Sequence, residues 1–323
     1  MKKMILSLLT ATGLAGVACA QPQPEQAPSA PQQAAAQPAA AAAPAAPPCR
    51  RRVNASPAMW QVKDADTTIY LFGTFHLLDA CRDWFRGSVK AAFDRSDELV
   101  IETVLPENPA ELQPLLMRLA VDPQGRTITS RLGEADAAKL RQQLGPVADA
   151  FDQAKFEPWF INLTLSNLAA QKLNLNPELG PETVLRRAAA ARNMPLSGVE
   201  TVEFQFNIFD RQPDEAQVKS LRETLADPDA AVRTLRPMLE TWSTGNSERL
   251  AQIVNEGTTE DPQMHRVLLV DRNAAWARWI QERLQRPGTV FMAVGAGHLG
   301  GVGSVQEQLS WLGIESSRVR SLR

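Results

Sequence analysis

Ile69-Tyr70-Leu71-Phe72-Gly73-Thr74-Phe75-His76 and Val290-Phe291-Met292-Ala293-Val294-Gly295-Ala296-Gly297-His298 share one pattern: an apolar run, a glycine, and a histidine three residues further on. A short apolar run closed by glycine reads as a buried strand leaving its sheet. Each histidine then stands just past a strand's carboxyl end, the edge where open α/β sheets place their ligands. Only three histidines occur in the 323 residues, and two of them hold this position. Imidazole supplies a neutral nitrogen ligand or a base near neutral pH.

The strands expected around these two are Leu99–Val104, Pro195–Val199 and Val319–Leu322. A hairpin is expected from Trp60 through the turn Asp64-Ala65-Asp66 into Tyr70. Helical patterns lie between, at Arg82–Arg95, Glu134–Leu144, Trp159–Leu173, Glu182–Arg192 and Met264–Arg286. Strands separated by helices imply crossover connections, hence an α/β fold with a mainly parallel or mixed sheet flanked by helices. Residues from about 106 to 179 show helix patterns without a convincing strand and read as an all-helical insertion.

Two carboxylates close apolar runs as the histidines do: Glu102 after Leu99-Val100-Ile101 and Glu200 after Pro195-Leu196-Ser197-Gly198-Val199. Four strands would then end in His76, Glu102, Glu200 and His298. This is a two-histidine, carboxylate-rich set suited to a divalent metal, with Zn, Mn and Co all compatible. Before the second histidine, Asp261-Pro262 reads as a helix N-cap followed by proline at the first helical position. Along that helix Arg272 and Asn273 fall on the same stripe as Leu269, Trp276 and Ile280, where polar groups need partners. Two readings stand for Arg272: a clamp on a strand end or on Glu102, or a donor to negative charge on a reaction intermediate. His265 reads as a core or rim histidine.

The chain begins with Lys2-Lys3, a short apolar run and Ala18-Cys19-Ala20, the pattern of an export signal over 1–20. Its alternative is a lipoprotein signal ending at Cys19. Residues 21–48 are almost wholly Ala, Pro and Gln and read as a disordered tether. Residues 50–323 form the folded part, with a periplasmic or secreted location expected. A bridge between Cys49 and Cys81 is expected in an oxidising compartment, with two free thiols as the alternative. The balance of 34 basic and 36 acidic residues gives no footprint for nucleic acid. No later stretch is long and apolar enough for a transmembrane span.

From about Trp60 onward the chain resembles the TraB/GumN family, related to Tiki-type metallopeptidases and to erythromycin-esterase-like proteins. The resemblance rests on Leu71-Phe72-Gly73-Thr74-Phe75-His76, Leu99-Val100-Ile101-Glu102, Pro158-Trp159, Gly198-Val199-Glu200-Thr201 with Glu203 and Gln205, Asp271-Arg272-Asn273 with Trp276, and Val294-Gly295-Ala296-Gly297-His298-Leu299-Gly300-Gly301. It implies that His76, His298 and Glu102 are active-site residues with a divalent metal as cofactor. The Tiki-like members imply a peptide or protein substrate, and the GumN-like branch implies an envelope polysaccharide pathway. The expectation is an exported metal-dependent hydrolase, a peptidase in which His76, His298 and Glu102 hold the metal and Glu102, Glu200 and Arg272 serve the reaction. Its alternative is a non-catalytic envelope protein that binds a peptide or glycan in the same cleft.

Overall fold

The computed structural model describes residues 49, 52–256 and 261–320. The expected signal, the tether and Cys19 lie outside the described residues. Among the described residues eight strands form: β1 (Val53–Asn54), β2 (Met59–Lys63), β3 (Thr67–Thr74), β4 (Arg82–Asp83), β5 (Glu98–Thr103), β6 (Leu196–Glu200), β7 (Gly288–Gly295) and β8 (Ser316–Arg318). Six of them make one sheet in the order β6-β5-β7-β3-β2-β8, while β1 and β4 pair separately. The four strands β6, β5, β7 and β3 are mutually parallel, and β2 turns the sheet mixed by running antiparallel to β3 and β8.

Alternation along the central strands sends side chains to opposite faces. Ile69, Leu71, Val100, Val290, Met292 and Val294 face Trp276, Ala277, Ile280, Val305 and Leu309 of the helices Asp271–Arg283 and Val305–Trp311. Phe72, Leu99, Ile101, Phe291 and Ala293 join the larger core on the other side, with Val89 and Phe93 of the helix Gly87–Arg95 and Leu185 of the helix Pro181–Ala190. The result is an α/β sheet covered on both faces, as the sequence pattern implies.

The hairpin through Asp64-Ala65-Asp66 forms as expected, with Asp64 Oδ1 accepting from the backbone N–H groups of Asp66 and Thr67. Three boundaries differ from the sequence reading. The helix expected over Arg82–Arg95 starts only at Gly87, whose φ of 53° breaks the preceding backbone, and Arg82–Asp83 pairs with Val53–Asn54 instead. The last described strand is Ser316–Arg318, which takes the pairing positions beside β2; Val319 and Arg320 follow it outside the strand, and the rest of the expected Val319–Leu322 lies outside the described residues. The helix expected over Met264–Arg286 is interrupted: Asp261 caps Pro262–His265, a π-helical turn follows over Arg266–Val270, and the α-helix resumes over Asp271–Arg283. A further helical run follows, in which Val202–Asp210, Asp214–Ala226 and Ala230–Ser243 pack beside the helices of residues 109–171 and Ser247–Glu256 packs against Ala230–Ser243 and the turn Ala296–His298.

Cys49 and Cys81 form a disulfide with Cα atoms 5.2 Å apart, which ties the start of the domain to the loop after His76. Among the described residues no helix is long and apolar enough to cross a membrane.

Candidate functional site

The sheet order places the four strand-end residues side by side: Glu200 on β6, Glu102 on β5, His298 after β7 and His76 after β3. Chain order scatters them, and the parallel pairing collects them at one carboxyl edge. Gly73 serves close packing between the two turns. A Cβ on Gly73 would stand 3.0 Å from the Ala296 Cβ, so each strand exit needs the small residue of its own motif against the other.

Arg272 is the hub. Its side chain is almost fully buried and its five N–H donors meet five acceptors. Nε donates to Glu200 Oε1 at 2.7 Å, and Nη2 donates to Glu102 Oε2 and Glu200 Oε2, both at 2.7 Å. Nη1 donates to the Leu268 carbonyl at 3.1 Å and faces His298 Nε2 at 3.2 Å. The guanidinium also lies over the Trp276 ring, 4.9 Å from its centroid. Arg272 thus meets Glu102, the partner that the clamp reading names.

The carboxylates are similarly committed. Glu200 accepts twice from Arg272, once from Trp276 Nε1 at 3.0 Å and once from Gln205 Nε2 at 2.9 Å. Glu102 accepts from the Gly295 backbone N–H at 2.6 Å through Oε1, and from Arg272 and Gln205 through Oε2. Burial raises the Glu102 pKa and outweighs the opposing pull of Arg272.

The two histidines differ. Asn273 Nδ2 donates to the Gly303 carbonyl, which turns its Oδ1 toward His298 Nδ1 at 2.6 Å. His298 therefore carries its proton on Nδ1 and presents Nε2 as an acceptor to Arg272. Burial, with the positive charge of Arg272 and the neighbouring His76, holds its pKa well below the usual histidine value, so the ring stays neutral. His76 instead sets Nδ1 2.5 Å from Glu182 Oε1, and its Nε2 is buried without a hydrogen-bond partner. Burial opposes charge on His76, yet the facing Glu182 carboxylate outweighs it and the pKa is raised. Burial likewise opposes charge on Glu182, and His76 overrides it, leaving that carboxyl below its ordinary range.

Glu182 carries a role that the sequence reading did not give it. It sits in the first turn of the helix Pro181–Ala190, where acids are common simply as partners of the helix dipole. In the fold the start of this helix presses on the histidine turn: a Cβ on Gly180 would stand 2.0 Å from the His76 carbonyl oxygen. Gln205 and Asn273 complete the network, both on helices that follow or precede strands of the site.

The divalent cation that the resemblance implies would need lone pairs converging on one point about 2.0–2.2 Å from each donor. His298 Nε2 is taken by Arg272, and Glu102 Oε2 by Arg272 and Gln205. A cation bonded to either atom would lie against the guanidinium, where two unit charges 4 Å apart repel by roughly 4 kcal/mol at an effective dielectric constant near 20. Of the three expected ligands, His76 alone keeps an unshared ring nitrogen. Among the described residues no group of three or more His, Cys, Asp or Glu is placed to hold a metal ion. The donor set as arranged does not fit the expected metal.

A histidine-, carboxylate- and arginine-lined centre at the carboxyl edge of a helix-covered mixed sheet, built from two GxxH turns, defines the class of α/β protein at hand. The chain belongs to the TraB/PrgY/gumN family, whose family model matches residues 58–318. It is similar to YbaP of Escherichia coli strain K12, described as an uncharacterized protein, with 28% identity over 190 residues covering 58% of this chain and 69% of YbaP. YbaP of Shigella flexneri shows the same identity and coverage. No solved structure matches the chain.

Proposed function

We propose that this protein is a periplasmic or secreted hydrolase acting on peptide bonds, with His76 as the general base and Glu182 as the residue that orients it. The observation that carries this reading is the His76–Glu182 pair. One ring nitrogen is tied to a carboxylate, and the other is held in the centre with no hydrogen-bond partner. A base needs an open nitrogen and a fixed ring, and a carboxylate on the opposite nitrogen supplies both orientation and charge stabilisation when the proton is taken. Glu102, within electrostatic reach of His76, stabilises the imidazolium that forms. Arg272 and Glu200 hold Glu102 and His298 in place.

The disulfide supports an oxidising location. Space for a substrate side chain adjoins the centre: a cleft of about 190 Å³ is lined by residues that include Trp159, Leu163, Phe209, Lys219, Met264 and Leu268. Leu268 belongs to both regions, since its carbonyl accepts from Arg272. Its aromatic and aliphatic residues stand beside polar ones such as Asn162, Gln217 and Glu223, a mixture that suits a peptide residue with both apolar and hydrogen-bonding contacts.

The test is cleavage of a peptide library by purified protein beside its His76→Gln variant. Cleavage lost in His76→Gln, while the variant stays folded at the assay temperature, supports the assignment. Equal cleavage by both proteins overturns it, and intact retention of a peptide or glycan without cleavage by either identifies a binding protein instead.

A further inference from the structure

We infer that Arg272 occupies a latent cation site: its guanidinium and a divalent metal ion compete for the same donors, and the wild-type chain fills the position with its own side chain. The inference concerns the architecture of the centre and holds whether or not the protein is a hydrolase.

Three observations carry it. Every N–H of the guanidinium has an acceptor, four of the five contacts going to Glu102, Glu200 and His298. These are nitrogen and oxygen donors of the type that Zn, Mn and Co accept. Second, His298 is already prepared as a ligand. Asn273 fixes the proton on Nδ1 and leaves Nε2 unprotonated, the outer support that metal-bound histidines use. Third, the side chain is delivered by a specific backbone device. The π-helical turn Arg266–Val270 lies directly before Arg272, and its Leu268 carbonyl accepts from Nη1. Such turns inside α-helices recur at functional sites.

Removing the guanidinium without replacing its charge leaves two carboxylates with buried side chains and a histidine lone pair uncompensated, with His76 Nε2 open nearby. A divalent cation restores the balance. Arg272 therefore keeps the metal out in the wild type, and loss of Arg272 admits it.

The experiment compares wild type with Arg272→Gln and Arg272→Gly after chelator treatment, each unfolded thermally with and without ZnCl₂ or MnCl₂, with bound metal determined directly. The expected result is no metal-dependent shift for wild type and an upward shift with stoichiometric metal for Arg272→Gln, accompanied by movement of the His298 ring signals in NMR. Added guanidinium should lower metal uptake by Arg272→Gly, since it refills the vacated position. If Arg272→Gln does not fold alone, recovery of its fold by either metal supports the inference, and failure of both metals to restore it overturns it. Folded variants that take up no metal overturn it, as does wild type that holds stoichiometric metal with displaced His298 signals.

Discussion

Thr74 on β3 pairs directly with Gly295 on β7, so the two turns that end in His76 and His298 leave the sheet from adjacent strands at the same level. That single register brings together residues that lie far apart in the chain. It also makes the contact between the turns sensitive to one carbon atom.

Glycine substitutions should grade with the space they find. In Gly73→Ala the new methyl meets the Ala296 side chain at 3.0 Å and can be relieved by a small shift, so a loss of about 1–3 kcal/mol is expected. In Gly180→Ala it would lie 2.0 Å from the His76 carbonyl, which is backbone and cannot swing aside. The second variant should lose more stability than the first and separate Glu182 from His76. Urea unfolding of both decides this, and a Gly180→Ala variant as stable as wild type would refute the packing argument.

The His76–Glu182 pair should make stability and activity respond to pH in opposite directions. The His76 pKa is raised above its ordinary 6.5, so its contribution to stability is complete below 6.5 and is lost as pH rises through the raised value. The Glu182 pKa is lowered from 4.5, so its contribution is present above 4.5 and is lost as pH falls through the lowered value. The pair therefore stabilises most between 4.5 and 6.5. A rate that needs neutral His76 should instead climb with a midpoint above 6.5. Glu182→Gln removes the charge that raises that pKa, and its rate profile should move toward acid. An unshifted profile in Glu182→Gln would exclude His76 as the titrating base.

Asn273→Leu preserves side-chain size and removes the acceptor for His298 Nδ1 and the donor to Gly303. A buried ring N–H left without a partner costs about 1–3 kcal/mol. The same change should release the tautomer, which nitrogen NMR of the imidazole reads directly. If the ring keeps its proton on Nδ1 in the variant, Asn273 is not what fixes it.

The disulfide joins residues 32 positions apart. In the chain-entropy model a loop of that length stabilises by roughly 3–4 kcal/mol. Cys81→Ser should lower the unfolding midpoint accordingly, and material isolated from an oxidising compartment should show no titratable thiol at Cys49 or Cys81 when denatured without reductant. Two free thiols would reject the bridge.

Much of the sheet was legible because its signal is local. Apolar runs ended by Gly73 and Gly295 mark strand exits, and the alternation around Leu71 and Met292 shows strands buried on both faces. Arg272 and Asn273 were legible as polar residues on an apolar stripe, which obliges them to find partners; Glu102 was among the partners expected for Arg272, whereas Glu200, His298 and the Gly303 carbonyl were not. Glu182 was opaque for a physical reason: an acid in a first helical turn is satisfied by the helix itself, so nothing in the sequence demands a histidine opposite it. The π-helical turn over Arg266–Val270 was hidden because its residues continue the same amphipathic pattern as the helix around them.

Of the four parallel strands, β7 is the last in the chain, yet it lies between β3 and β5 at the middle of the sheet. A chain that emerges from its amino terminus can pair β5 with β6 and β2 with β3, but the two halves stay unjoined until residues 288–295 arrive. Contacts of such wide sequence separation form late and slowly. The keystone strand is also the one that delivers His298, so a partly synthesised chain that stops short of it holds His76 and scattered acids but no centre at all. Closure of the sheet and assembly of the site are one event.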